Sequence, residues 1–165
     1  MMTDDSLTAK LERIKLLLLD VDGVLTDGKV IFSDTGQTML AFDVKDGSGI
    51  KYARMAGLEV GIVTGKKNDA VLHRARELGI TILYREVPNK ASALKEILRD
   101  TGFRAEEVLF MGDDLLDLAA MNAVGVPVAV ADAAPELIEA AAYVTSCPGG
   151  NGAVREVCEL SLIHI

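Results

Sequence analysis

Asp20-Val21-Asp22-Gly23 sets two carboxylates two residues apart. In extended backbone, side chains at i and i+2 project to the same side, so Asp20 and Asp22 can face a common point. A second acidic run, Gly112-Asp113-Asp114-Leu115-Leu116-Asp117, stands far downstream. Carboxylates drawn together repel unless a divalent cation lies between them. An oxygen-only donor set suits Mg²⁺, which takes one or two carboxylates along with waters and phosphate oxygens. An Asp-Gly pair by itself is ordinary turn chemistry; two acidic runs at the ends of two strands are not. Thr64-Gly65 offers a hydroxyl and free backbone N–H groups where a helix begins, an arrangement that receives anions, although the same residues also make a plain N-cap. Lys90 begins another helix, where a cation opposes the macrodipole by about 0.3–1 kcal/mol. Bridging a carboxylate and a phosphoryl group would justify that position. Asp117 falls in the first turn of its helix, where an acid is favoured in any case, so structural and supporting roles both stay open for it.

These residues need a scaffold that brings them to one edge. Ile14–Leu19 is a short apolar run, as expected of a strand buried on both faces. Lys29–Phe32 and Met39–Phe42 flank the turn residues Ser33-Asp34-Thr35-Gly36 and predict a hairpin. Beyond it, helix-like and strand-like segments alternate: Gly49–Ala56, Glu59–Val63, Asn68–Leu78, Ile80–Tyr84, Lys90–Asp100, Val108–Met111, Leu115–Ala123, Val126–Val130, Pro135–Ala142, Tyr143–Thr145 and Ala153–Leu160. Strict alternation predicts a three-layer α/β/α domain, a Rossmann-like parallel sheet with helices on both faces and a protruding hairpin. Ligands in such folds bind beyond the carboxyl ends of the strands, where the acidic runs, Thr64 and Lys90 all fall. No repeat, low-complexity tract or long linker divides residues 1–165, so one domain is expected, with its core at about 14–160.

Composition narrows the partners. The 165 residues are 50% hydrophobic and 25% charged, too apolar for a disordered chain. A formal charge of −8 repels a phosphate polymer, so no nucleic acid partner is expected. No apolar run approaches the ~20 residues needed to cross a bilayer. Leu16–Leu19 is stopped by Asp20 and preceded by Asp4, Asp5 and Glu12, unlike a signal peptide. Cys147 and Cys158 form no C-x-x-C pair and read as reduced thiols, which places the protein in the cytoplasm.

In their order along the chain, these clusters resemble the four motifs of the haloacid dehalogenase superfamily of phosphohydrolases. Asp20 and Asp22 match the first motif, Thr64 the second, Lys90 the third and Gly112-Asp113-Asp114 the fourth. D-V-D-G-V-L-T-D-G at Asp20–Gly28, Phe42–Gly47, G-D-D-L-L-D at Gly112–Asp117 and G-A-V-R-E-V-C at Gly152–Cys158 are similar, more narrowly, to the 3-deoxy-D-manno-octulosonate 8-phosphate phosphatases, over nearly the whole of Ile14–Leu160. The resemblance implies a Mg²⁺-dependent homotetramer without a cap domain that acts on a sugar-acid phosphate in lipopolysaccharide precursor synthesis. Asp20 would be the nucleophile that becomes an aspartyl-phosphate, and Asp22 the general acid and then base. The metal would lie on Asp20, the backbone carbonyl of Asp22, and Asp113, supported by Asp114 and Asp117. Thr64 and Lys90 would hold the phosphoryl oxygens. Asp43, Lys45, Asp46, Gly47, Lys51, Lys66 and Arg74 fall where the family lines its sugar-acid pocket. Relatives acting on nine-carbon keto-sugar acid phosphates, or forming the phosphatase half of acylneuraminate nucleotidyltransferases, are the alternatives. A receiver-type signalling module also gathers acids, Thr and Lys at strand ends, but its acidic pair comes first and its phosphorylated Asp after the third strand, which is not the order here.

Several positions depart from the family pattern. Lys45, Lys51 and Lys66 stand where arginine is usual, keeping the charge but losing the bidentate fork. Arg85-Glu86 replaces Gln-Gly, and Asn151 replaces an arginine. Ser161–Ile165 lacks the family's polar continuation and reads as an artefactual tail, so the natural C-terminus is expected to be missing and His164 is set aside; His73 reads as a surface or packing residue. With room between the motifs only for a hairpin, the apolar residues Val30, Ile31, Phe32, Met39, Leu40 and Phe42 are expected to face a neighbouring chain that covers the site.

Overall fold

The computed structural model describes the backbone from Asp4 to His164 and side chains from Ser6 onward. Along the chain run α1 (Asp4–Leu11), β1 (Leu16–Leu19), the hairpin strands β2 (Ile31–Phe32) and β3 (Thr38–Met39), α2 (Val44–Met55), β4 (Glu59–Val63) and α3 (Asp69–Leu78). There follow β5 (Ile82–Tyr84), α4 (Lys90–Thr101), β6 (Val108–Gly112), α5 (Leu115–Met121), β7 (Val126–Ala129), α6 (Pro135–Ala140), β8 (Tyr143–Val144) and α7 (Ala153–His164). Six strands form one parallel sheet in the order β5-β4-β1-β6-β7-β8.

Strand β1 occupies the middle of the sheet because its four leucines are fully buried and can pack on both faces. Leu18 pairs with Gly61 on one side and Phe110 on the other. A Cβ on Gly61 would come within 2.8 Å of Leu18 and 2.7 Å of Ile82, so only glycine lets these side chains meet over β4. From β1 the chain fills one side of the sheet with β4 and β5, then crosses back to fill the other with β6, β7 and β8. The carboxyl ends of β1 and β6 therefore flank the switch point where such sheets bind ligands.

Helix caps follow their local residues. Asn68 accepts from the Ala70 N–H at 2.8 Å and Gly79 closes α3 at φ +70°. Asn89 accepts from the Ser92 N–H at 2.9 Å to start α4.

Four elements differ from the sequence expectation by more than two residues. Helix α1 was not foreseen; it is held by fully buried Leu11 and half-buried Leu7. Helix α2 begins at Val44, well before Gly49, because Asp43 caps the Lys45 and Asp46 N–H groups at 2.6 and 3.0 Å. Its glycines mask the helical pattern in sequence but serve close packing: a Cβ on Gly47 would overlap the Arg74 guanidinium, and one on Gly49 would lie 2.9 Å from Arg155 Cδ. Helix α7 runs past Leu160 to His164, with Ser161 fully buried and its hydroxyl donating to the Val157 carbonyl. The hairpin is shorter than expected, pairing Ile31 with Met39 and Phe32 with Thr38. Leu40 and Phe42 turn back onto the core, whereas Val30, Ile31, Phe32 and Met39 remain exposed, Phe32 at 67%.

Candidate active site

Asp20 leaves β1 with its N–H on the Met111 carbonyl at 3.1 Å, which ties the first acidic run to β6. The chain then turns sharply through Val21–Leu25, with Asp22 extended at φ −70°, ψ 118° and Gly23 at φ +83°. A side chain on Gly23 would collide with the Asp113 carboxylate, so glycine brings the two acidic runs into contact and also supplies the left-handed turn. The Thr26 hydroxyl pins this turn, donating to the Val21 carbonyl at 3.3 Å and accepting from the Gly23 and Gly28 N–H groups at 3.4 and 3.2 Å.

Lys90 is buried at the start of α4 and does not project into solvent. Its ammonium lies 2.7 Å from Asp20 Oδ1 and 2.5 Å from Asp117 Oδ1. Although burial works against it, the charges of Asp20 and then Asp117 raise the Lys90 pKa, so it is firmly protonated. The other Asp117 oxygen accepts from the Asp113 and Asp114 N–H groups at 3.1 and 3.4 Å. Both of its oxygens are thus engaged, as befits a supporting residue. Asp114 is exposed and caps α5 through the Leu115 N–H at 2.8 Å.

Oxygens of Asp20, Asp113 and Asp117 lie within 4.8 Å of one another, with one ammonium among them. Burial, then the charge of Asp117, pushes the Asp20 carboxyl up to about 6 against the pull of Lys90. Burial, then the charges of Asp20 and Asp117, pushes Asp113 up to about 8. A cluster that holds protons this tightly has more negative charge than Lys90 can balance. Its donors are all hard oxygens, so a small divalent cation such as Mg²⁺ fits it.

A cavity of about 620 Å³ opens on this cluster, lined by Asp20, Asp22, Thr64, Lys66, Lys90, Asp113, Asp114 and Asp117, with Val87, Pro88, Leu115 and Leu116 around them. Thr64 is buried at the end of β4, where its hydroxyl accepts from the Lys66 N–H at 3.2 Å. The Lys66 ammonium reaches Asp22 Oδ1 at 3.3 Å. The expected pocket residues other than Lys66 stand outside this cavity. Asp43 caps α2; Arg74 donates to the Asp43 carbonyl at 2.9 Å and lies over the Phe42 ring. Gly47 packs under Arg74, and Lys45 and Lys51 are exposed. Asp46 is buried, accepting from the Arg155 N–H of α7 at 2.8 Å and the Gly152 N–H at 3.4 Å. His73 is exposed on α3. A larger hollow of about 980 Å³ lies elsewhere, between α1, α6 and β8, and gathers no cluster of acids. Thr26 is the site residue that reasoning from single positions passed over; its signal was present in D-V-D-G-V-L-T.

A parallel sheet with D-x-D beyond its central strand, a Thr beyond its neighbour, and a buried Lys facing a second acidic run defines a haloacid dehalogenase-like hydrolase. That family matches residues 80–157. The chain is 49% identical to the 3-deoxy-D-manno-octulosonate 8-phosphate phosphatase KdsC of Escherichia coli (strain K12) over 155 residues, covering 94% of this chain and 82% of that one. The crystal structure of a 3-deoxy-D-manno-octulosonate 8-phosphate phosphatase from Moraxella catarrhalis, in complex with magnesium, phosphate and KDO, superimposes with a TM-score of 0.95 at 36% identity, over 99% of this chain and 93% of that one. The cobalt-bound phosphatase of Haemophilus influenzae gives 0.91 at 37% identity, over 94% and 91%. The chain belongs to the 3-deoxy-D-manno-octulosonate 8-phosphate phosphatase family. Among the described residues, no helix is long and apolar enough to cross a membrane.

Proposed function

We infer that this chain is a Mg²⁺-dependent phosphatase that hydrolyses 3-deoxy-D-manno-octulosonate 8-phosphate to the free sugar acid and phosphate, a step toward lipopolysaccharide. The observation that carries this is the buried Asp20–Lys90–Asp117 array beside Asp113, in a chain 49% identical to a phosphatase of that name. Asp20 attacks phosphorus; the bond to the sugar oxygen breaks, and Asp22 gives that oxygen its proton. Asp22 then takes a proton from water as the water attacks the aspartyl-phosphate, which releases inorganic phosphate and restores Asp20. Lys90 and the Thr64 hydroxyl hold the phosphoryl oxygens, and Lys90 also keeps Asp20 ionised for attack. Mg²⁺ held by Asp20, the Asp22 carbonyl and Asp113 supplies the remaining positive charge against the phosphoryl group. Asp114 and Asp117 keep those ligands in place, and Asp117 does so through the backbone of Asp113.

The unit is a single phosphatase domain that works as a homotetramer. Its exposed apolar hairpin would otherwise be a poor soluble feature, and the open cavity needs cover to exclude water. Asp43, Lys45, Asp46, Gly47, Lys51 and Arg74 form or brace the sugar-acid side of the site in that assembly. Two unpaired thiols, one of them buried, suit the reducing cytoplasm, where sugar phosphates are also found.

A phosphate-release screen with Mg²⁺ tests the substrate, comparing eight- and nine-carbon keto-sugar acid phosphates with hexose phosphates and nucleotides. The octulosonate phosphate should exceed a neutral hexose phosphate in kcat/KM by at least about tenfold, roughly 1.4 kcal/mol of transition-state binding. Equal rates on both would refute the assignment.

A further inference from the structure

A strap from Ser146 to Gly152 joins β8 to α7 and crosses behind the loop that carries Asp22, and none of its residues lines the cavity. Its backbone lies against that loop too closely for side chains. A Cβ on Gly149 would overlap the Gly23 carbonyl oxygen, and one on Gly150, which sits at φ +65°, would overlap the backbone of Thr26 and Asp27. The Gly150 N–H donates to the Val24 carbonyl at 2.8 Å. Gly23 is therefore caught between two neighbours, the Asp113 carboxylate against its Cα and the strap against its carbonyl.

The strap is itself anchored by carboxylates from three directions. Glu156 accepts from the Ser146 N–H at 2.8 Å and the Cys147 N–H at 3.2 Å. Asp132 Oδ1 accepts from the Gly149 N–H at 3.0 Å. Buried Asp46, reaching across from α2, accepts from the Gly152 and Arg155 N–H groups at 3.4 and 2.8 Å. A connection with nothing to do but link β8 to α7 would not need three acids and two glycines seated on another loop's backbone. A misplacement of 1 Å at a reacting centre can cost about 10²-fold in rate.

We propose that the Gly149–Gly150 strap is a positioning element for proton transfer, holding Asp22 in register with Asp20 and Asp113, with Asp132 and Asp46 as its positioning residues; this rests on Asp22 serving as general acid and base. The expected defect is specific. A leaving group acidic enough to depart as an anion needs no proton, so phosphorylation of Asp20 by p-nitrophenyl phosphate tolerates a displaced Asp22. Attack by water on the aspartyl-phosphate still needs a base and slows.

The test is stopped-flow kinetics on the full chain with Mg²⁺ and p-nitrophenyl phosphate, alongside steady-state turnover of the sugar-acid phosphate. Asp22→Asn, the reference, should give a burst of nitrophenolate equal to the enzyme concentration followed by slow turnover. Gly149→Ala should reproduce that burst and lose about 10²-fold in sugar-phosphate kcat with KM little changed. Asp132→Ala, at an exposed position, should show the same pattern more weakly, and Asp132→Asn should restore turnover because its amide oxygen still accepts from Gly149. If Asp22→Asn bursts while a folded Gly149→Ala behaves like the parent, or loses burst and turnover together, the strap has no positioning role. Should Gly149→Ala fail to fold, the Asp132 pair decides: parental kinetics in Asp132→Ala overturn the proposal. An Asp22→Asn enzyme without a burst would overturn the proton-transfer role of Asp22, and the strap's role with it.

Discussion

Replacing Lys90 by methionine preserves length and apolar stem while removing the one ammonium among Asp20, Asp113 and Asp117. Two effects compete. Relief of the conflict with the α4 macrodipole is worth about 0.3–1 kcal/mol in favour of the variant. Breaking a buried ion pair by removing one partner costs about 3–5 kcal/mol, and Lys90 is only 7% exposed, with carboxylate oxygens at 2.7 and 2.5 Å. The second effect wins, leaving a net loss of about 2–5 kcal/mol, or about 4–20 °C in Tm for a chain of this size. The loss should depend on pH with a definite sign. Asp20 and Asp113 have folded pKa values raised to about 6 and about 8 from an ordinary 3.8, so their protonated forms favour the folded state. That contribution is complete at low pH and disappears as pH rises through these values. Lys90→Met should therefore be most damaging near pH 8 and least near pH 5, measured by calorimetry in EDTA. Adding Mg²⁺ should recover part of the loss, while kcat stays depressed by orders of magnitude. An unchanged Tm in EDTA at pH 8 together with normal turnover would refute the assignment of Lys90 as the balancing charge.

Asp20→Asn should abolish turnover by orders of magnitude yet fold, since Asp117 still holds Lys90; near-normal phosphate release from the folded variant would exclude an aspartyl-phosphate. Binding of Mg²⁺ must displace protons from the raised carboxyls, so its affinity by titration calorimetry should tighten between pH 6 and 8 by up to about tenfold per pH unit per proton released. A flat profile would show that these carboxyls are not ligands. Charges at the exposed hairpin positions, Ile31→Glu with Phe32→Lys, should reduce the mass seen by light scattering below a tetramer and lower kcat/KM together; a fully active monomer would contradict the shared-site assembly.

The architecture was legible in the sequence, and so was the grouping of Asp20, Thr64, Lys90 and Asp113 at one edge of the sheet, whereas most of the expected sugar-acid pocket was not. Alternating apolar runs, with Asn68 and Gly79 or Asn89 and Gly102 at helix ends, are local signals, because cap chemistry and strand burial depend on neighbours a few residues away. Given a parallel sheet, residues just past each strand must share an edge, which is why Asp20, Thr64, Lys90 and Asp113 could be grouped without coordinates. Partnership is different. The sequence placed Lys90 awkwardly against a helix dipole but could not say that Asp20 and Asp117 both reach its ammonium, since that requires β1, α4 and α5 to converge. Gly47 and Gly49 sit inside α2 because α3 and α7 come too close there to leave room for a side chain. The family resemblance puts Asp46 in the sugar-acid pocket, whereas its burial against the start of α7 depends on a contact more than a hundred residues along the chain. Charge balance in a buried cluster, and the fit of one backbone against another, are properties of separations in space. Only the folded chain decides them, because desolvation and steric exclusion act between groups that sequence order leaves far apart.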